Sequence, residues 1–224
     1  MNFEILGSVD PQELTKSLEV KQKFRAIQLI ERMKSCISSS LLRIAGWILY
    51  KLLSRIFTSI IFHKGQIEQL KRRCQINLMN NQVTKTPIIY LPMHRSHLDY
   101  ILISFILHVN EISPPLVAAG DNLLIPFFGN LLRGLGAFFI KRRLDDDKSL
   151  KKGRKDLLYR AILHSYMVEN LKDNNSMEFF LEGGRSRSGK ALLPKAGLLS
   201  VIVDSIYDCK LTPRQTAWLL VRLF

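Results

Sequence analysis

A chain of 224 residues, 47% of them apolar, can bury a full hydrophobic core as one domain with a helical appendage. Its formal net charge of +14 favours anionic partners: nucleic acid, acidic lipid headgroups or phosphorylated small molecules. Cys36, Cys74 and Cys209 are too scattered for a disulfide framework or a C-x-x-C metal knuckle, so a reducing compartment fits them, and the acid-bearing start M-N-F-E-I-L-G-S-V-D reads as neither a signal nor a transit peptide.

In chain order, residues 12–36 mix charge and aliphatics at helical spacing, with Asp10-Pro11 as the helix start. Leu41 to Phe62 is the greasiest long segment, interrupted by Arg43, Lys51 and Arg55, and no acidic residue occurs from Arg32 to Ile67. Two readings stand for this predicted helix. One is a basic, Trp47-containing helix lying flat at a membrane interface. The other is an amphipathic helix covering the core. Lys71-Arg72-Arg73 reads as a solvated helix face.

From Thr86 the pattern becomes strand–helix alternation. Strands are predicted at Ile88–Leu91, Leu116–Ala119, Ala137–Ile140 and Met177–Leu181. Helices are predicted at Tyr100–Val109, Leu123–Leu132, Asp156–Leu171 and Ala196–Ser205. This argues an α/β fold, a central mostly parallel or mixed sheet with flanking helices, preceded by an N-terminal helical, membrane-facing segment. After Asp208 the tail offers no convincing strand, and the chain reads as cut short.

Three constellations can carry chemistry, each after a predicted strand, where α/β proteins bind ligands. The first is His94 and Asp99, with four residues between them, at the strand-to-helix corner after Pro92. An imidazole titrates near neutral pH, and a carboxylate can fix its tautomer and stabilise its charged form. Taken alone, Asp99 can equally serve a helix first turn while His94 ends a strand. His97 suggests a metal site with His94 and Asp99, but no further motif completes one. The second is G-A-F-F-I-K-R-R, Gly136 to Arg143, an aromatic strand ending in three cations. A charge run is usually solvated, yet the adjoining apolar strand implies that at least one of these cations is held. The third is F-F-L-E-G-G-R-S-R-S-G-K, Phe179 to Lys190, a strand opening into a glycine-rich turn with Arg185, Arg187 and Lys190. Glycines admit an oxyanion to the backbone amides, and arginines match phosphate oxygens. Gly184 to Lys190 also spells most of a P-loop, but Ala191 stands where magnesium needs Ser or Thr, and Pro194 interrupts the helix that should follow.

Taken together and in this order, the blocks resemble the lysophospholipid and glycerolipid acyltransferase family. Its H-x4-D block is similar to His94–Asp99, and its G-x-x-F-I-x-R block to Gly136, Phe139, Ile140 and Arg142. Its F-x-E-G-x-R-S block is similar to Phe180, Glu182, Gly183, Arg185 and Ser186. H-R-S-H-L-D-Y, the segment Gly153 to Ala161 and R-S-R-S-G-K resemble the mitochondrial glycerol-3-phosphate branch, and the likeness runs from about Lys21 to Asp204. Gly184 departs from the Thr or Ser of most membrane-bound relatives, and the family's fourth block, a V-P-I/V-type strand, has no counterpart.

The resemblance implies acyl transfer from acyl-CoA, as co-substrate and without a cofactor, to the 1-hydroxyl of glycerol 3-phosphate. It implies His94 as general base and Asp99 as its orienting partner, with Arg142, Arg185 and Arg187 clamping the substrate phosphate. Gly136, Phe139, Glu182 and Gly183 would shape the loops; no metal and no nucleic acid is expected. It further implies a membrane lipid surface as partner and residence at the mitochondrial outer membrane, with the endoplasmic reticulum second. The expected division is a helical membrane-facing segment over 1–85, an incomplete acyltransferase core over 86–208 and an atypical tail over 209–224. Two other classes remain open: an inactive acyltransferase-like membrane-binding protein, and a P-loop nucleotide hydrolase.

Overall fold

A computed structural model describes residues 11–75, 87–96, 98–141, 156–208 and 217–219. Three helices come first: α1 (Pro11–Met33), α2 (Ser39–Ile56) and α3 (Lys64–Gln75). Proline opens α1, where its missing N–H is no loss. Ser38 caps α2 by accepting a bond from the Leu41 amide. The predicted helix to Phe62 stops at Ile56, and Phe57 is already extended. The run F-T-S-I-I supplies the reason, since serine and β-branched residues are poor helix formers.

Strands and helices then alternate: β1 (Ile88–Tyr90), α4 (Leu98–Val109), β2 (Leu116–Gly120), α5 (Phe128–Gly134), β3 (Ala137–Ile140), α6 (Leu157–Lys172), β4 (Met177–Glu178), α7 (Ala196–Asp208) and β5 (Ala217–Leu219). The strands form one sheet in the order β3-β2-β4-β1-β5, every pairing parallel. Chain connections therefore cross over through helices, and both sheet faces are covered. Ile89, Leu116, Phe138, Met177 and Phe179 pack one face against α1, α6 and α7. Ile88 and Tyr90 pack the other against Ile103 and Leu107 of α4 and Leu70 of α3. All three β1 side chains are thus buried, as a strand covered on both faces requires.

Three expectations are corrected. The predicted helix over Leu123–Leu132 is a single 3-10 turn (Asp121–Leu123), a break, and then α5. Pro126 lacks an N–H and disfavours helix at the preceding residue, and Phe127 turns left-handed at φ 65°. The predicted strand Met177–Leu181 keeps ladder geometry only to Glu178, with one further bond from the Phe179 amide to the Tyr90 carbonyl. The tail does contain a strand: Ala217–Leu219 lies beside Ile88–Tyr90 on the outer edge of β1.

Among the described residues no helix is long and apolar enough to cross a membrane. α2 buries Leu53 and leaves Ile44, Trp47, Ile48, Leu52 and Ile56 exposed.

Candidate active site

A parallel sheet gathers its strand C-termini at one edge, and the loops after β1 and β4, neighbours in the sheet, meet there. Pro92 follows β1, and the chain then turns through His94 into α4. Ser96 and Asp99 make a reciprocal helix cap of the S-x-x-D kind. The Ser96 hydroxyl accepts from the Leu98 amide at 2.9 Å, and Asp99 Oδ2 accepts from the Arg95 and Ser96 amides at 2.7 Å each. Asp99 Oδ1 also accepts from the Ser96 hydroxyl at 3.2 Å. The carboxylate sits in the first turn of α4, where the helix dipole favours it.

His94 Nδ1 lies 3.5 Å from Asp99 Oδ2, at the outer limit of hydrogen bonding. Its ring rests on Phe180, with centroids 4.1 Å apart and planes 32° from parallel. Burial pushes the imidazole below its ordinary pKa, against the upward pull of Asp99, and the Arg185 guanidinium adds a smaller downward push. The ring is therefore neutral at pH 7. With Nδ1 turned to the carboxylate, Nε2 is left as the acceptor, which is the protonation state a general base needs.

Glu182 ties the two loops together. It is buried; its Oε1 accepts from the His94 amide and its Oε2 from the Leu192 amide, both at 3.0 Å. One carboxylate thus fixes the backbone of His94 and the far side of the glycine turn. Gly183 makes that turn at φ 62°, a conformation that favours glycine. A Cβ there would stand 3.1 Å from Cδ of Lys195, whose amide donates to the Leu181 carbonyl at 2.7 Å. Arg185 and Arg187 are exposed and make no hydrogen bond or ion pair among the described residues. Residues 191–195 are not helical, and α7 starts only at Ala196, so no helix N-terminus directly follows Lys190 as a P-loop requires.

The remaining predicted positions divide. Arg142 and His97 lie outside the described residues. Phe139 is buried in β3, with the Arg133 guanidinium 5.3 Å from its ring centroid. Gly136 shapes a turn at φ 105°, but at the amino end of β3, roughly 13 Å of strand from the edge that carries His94. It therefore lies at the opposite end of the strand from the edge where the loops of His94 and Arg185 meet. Of the cations after β3, Lys141 is held: its Nζ is 3.7 Å from Asp156, which also binds Arg25 at 2.7 Å. Sequence reasoning passed over Ser96, although S-x-x-D carries its signal, and over Lys195, which has none.

The chain is thus a parallel α/β sheet with a His–Asp corner and a cationic glycine turn at its carboxyl edge. The Acyltransferase family model matches residues 68–215, and the chain belongs to that family. Over 207 residues, 91% of its length, it is 44% identical to the glycerol-3-phosphate acyltransferase 1, mitochondrial, of Bos taurus. It is 42% identical over 198 residues to the probable mitochondrial glycerol-3-phosphate acyltransferase of Caenorhabditis elegans, covering 86% of this chain. To the glycerol-3-phosphate acyltransferase of Xanthomonas campestris it is 36% identical over 164 residues, 73% of this chain. The matches span 24%, 26% and 16% of those relatives, so the chain corresponds to about a quarter of their length or less.

Proposed function

We propose that this chain carries the acyl-transfer site of a glycerol-3-phosphate 1-O-acyltransferase. The supporting observation is the neutral, partly buried His94 at the sheet edge, bound through Glu182 to a turn whose arginines are unpaired among the described residues. The names of the relatives support the acceptor. His94 Nε2 takes the proton of the 1-hydroxyl as that oxygen attacks the thioester carbonyl of acyl-CoA. The C–O bond forms, the C–S bond breaks, and the CoA thiolate leaves and is protonated. The products are 1-acyl-glycerol 3-phosphate and CoA. Asp99 stabilises the imidazolium formed in transit. Arg185, Arg187 and Arg142 bind the acceptor phosphate and hold the hydroxyl near the thioester, lowering the entropic cost. No cofactor enters this scheme, and acyl-CoA is the co-substrate.

The deciding experiment offers labelled acyl-CoA with glycerol 3-phosphate, dihydroxyacetone phosphate or lysophosphatidate. Labelled 1-acyl-glycerol 3-phosphate is the expected product. Lipid binding without turnover would favour the inactive membrane-binding class, and magnesium-dependent nucleotide hydrolysis the P-loop class.

The exposed apolar face of α2, with Arg43, Lys51 and Arg55 and no acid, supports a membrane surface as the place of action. Lying flat, such a helix buries its apolar side chains while its cations reach headgroups. The mitochondrial names of the relatives favour the mitochondrial outer membrane over the endoplasmic reticulum. The chain should sediment with anionic liposomes, less so as salt rises, and replacing Trp47, Leu52 and Ile56 with Ser should release it. Full solubility beside such liposomes at low salt makes α2 a core-covering helix instead.

A further inference from the structure

Glu178 is the one acidic residue of β4, and nothing in the chemistry above uses it. Its strand neighbours Met177 and Phe179 point into the core under α1, α6 and α7. Strand alternation turns Glu178 to the other face, where its register partner Tyr90 packs against α4. The side chain is 0% exposed, and neither carboxyl oxygen has a hydrogen-bond partner among the described residues. Native proteins rarely leave a buried carboxyl in that state, because an unpaired buried charge costs several kcal/mol or neutralises instead.

The surroundings decide which happens. On β1 the facing titratable group is the Tyr90 phenol; on β2 the register partner is the uncharged Val117. On α4 it is Asp99, the one charge among the described residues that acts on Glu178. Burial first, and the Asp99 charge second, push the Glu178 carboxyl up to about 8. Asp99 accepts bonds from two backbone amides, whereas Glu178 accepts none among the described residues and stays protonated at neutral pH.

We propose that Glu178 is a positioning residue, kept as a neutral carboxylic acid beneath the first turn of α4, and that its ionisation disarms the His94–Asp99 corner. An ionised Glu178 would draw water between α4 and the sheet and repel Asp99, loosening the amide bonds that shape the loop of His94. The activity arm of the test rests on the function proposed above; the stability arm does not.

Glu178→Gln keeps the shape and cannot ionise; Glu178→Leu serves as a second neutral variant. In the wild type, a folded-state value above the unfolded one gives a stability contribution complete below about 4.5 and lost progressively as pH rises towards 8. Thermal midpoints from pH 5 to 9 should show that added slope in wild type and not in the variants. For transfer, one ionisation near 8 leaves roughly a tenth of the active form at pH 9. The ratio of kcat at pH 9 to kcat at pH 7 should therefore be about one-tenth in wild type and near one in Glu178→Gln. A flattened stability slope with an unmoved alkaline limb overturns the positioning role, and an unchanged slope in both variants overturns the neutral-acid assignment. If the wild type transfers no acyl group at any pH, the functional reading fails while the slope still decides the state of Glu178.

Discussion

The loops after β1 and β4 face each other across the same sheet edge and are built on opposite principles. In the first, Asp99 accepts from two amides and a hydroxyl, Ser96 caps α4, and Phe180 backs the His94 ring. In the second, one buried glutamate anchors the turn while Arg185 and Arg187 stand exposed, without hydrogen-bond or ion-pair partners among the described residues. The difference fits the roles proposed for the two loops. A proton-transfer group gains from being held in one orientation before substrate arrives. Cations that wrap a phosphate gain from staying unpaired, because a prior ion pair would have to be broken first.

The largest break in this contrast is removal of the base. His94→Ala leaves the Asp99 cap and the cationic turn in place, so glycerol 3-phosphate should still bind. Acyl transfer should fall about 10²- to 10⁴-fold, the usual worth of a general base. Turnover close to wild type would remove His94 from the chemistry.

Next comes the tie between the loops. Glu182→Gln keeps one acceptor oxygen and sets an amide NH2 against either the His94 or the Leu192 amide. Hydrogen bonds to charged groups contribute about 1.5–3 kcal/mol, so urea unfolding should report a loss of roughly that size. Transfer should fall as well, since the backbone of His94 is released. A variant as stable as wild type would mean that the turn holds the His94 loop through apolar contacts alone.

A smaller effect is expected from the open loop. Arg185→Ala removes one charge-assisted contact to phosphate and should raise the KM for glycerol 3-phosphate about tenfold. The KM for acyl-CoA should change less, and stability hardly at all, because Arg185 makes no hydrogen bond or ion pair among the described residues. An unchanged acceptor KM would take it out of the clamp.

Much of this was legible in the residues, for local reasons. Apolar runs bounded by proline, glycine or cations located β1 to β3, and Pro92 with the polar H-R-S-H marked the corner that holds His94. What the sequence hid was nonlocal. Nothing in K-R-R reveals that Lys141 is spent on Asp156, because that depends on how α6 packs against β3. Gly136 lies in the same short motif as Ile140, but spacing along a strand does not tell which end faces the substrate. Glu178 sits in M-E-F-F-L as an ordinary alternating strand residue, and its burial without a hydrogen-bond partner among the described residues is set by packing that the strand pattern does not show. β5 pairs with a strand far away in the chain, and three residues carry too little pattern to announce that.

The smallest effect sharpens the comparison most, because it asks whether the open loop acts on the closed one. The pKa of His94 is lowered mainly by burial, and Arg185 contributes a further downward push across the gap between the loops. A base must be unprotonated, so activity is lost as pH falls through its pKa, and the acid limb of the wild type should lie below 6.5. Arg185→Gln keeps most of the side-chain length and removes the charge, so the acid limb should move to higher pH. The profile to follow is kcat/KM, which reports the free enzyme, before a bound phosphate neutralises the arginine. The acceptor's own second phosphate ionisation, near 6, enters both profiles equally and cancels in the displacement between them. Arg187→Gln, whose charge has no resolved effect on His94, is the control and should leave the limb in place. An acid limb that stays put in Arg185→Gln while the acceptor KM rises would mean that Arg185 reaches the phosphate without facing the base.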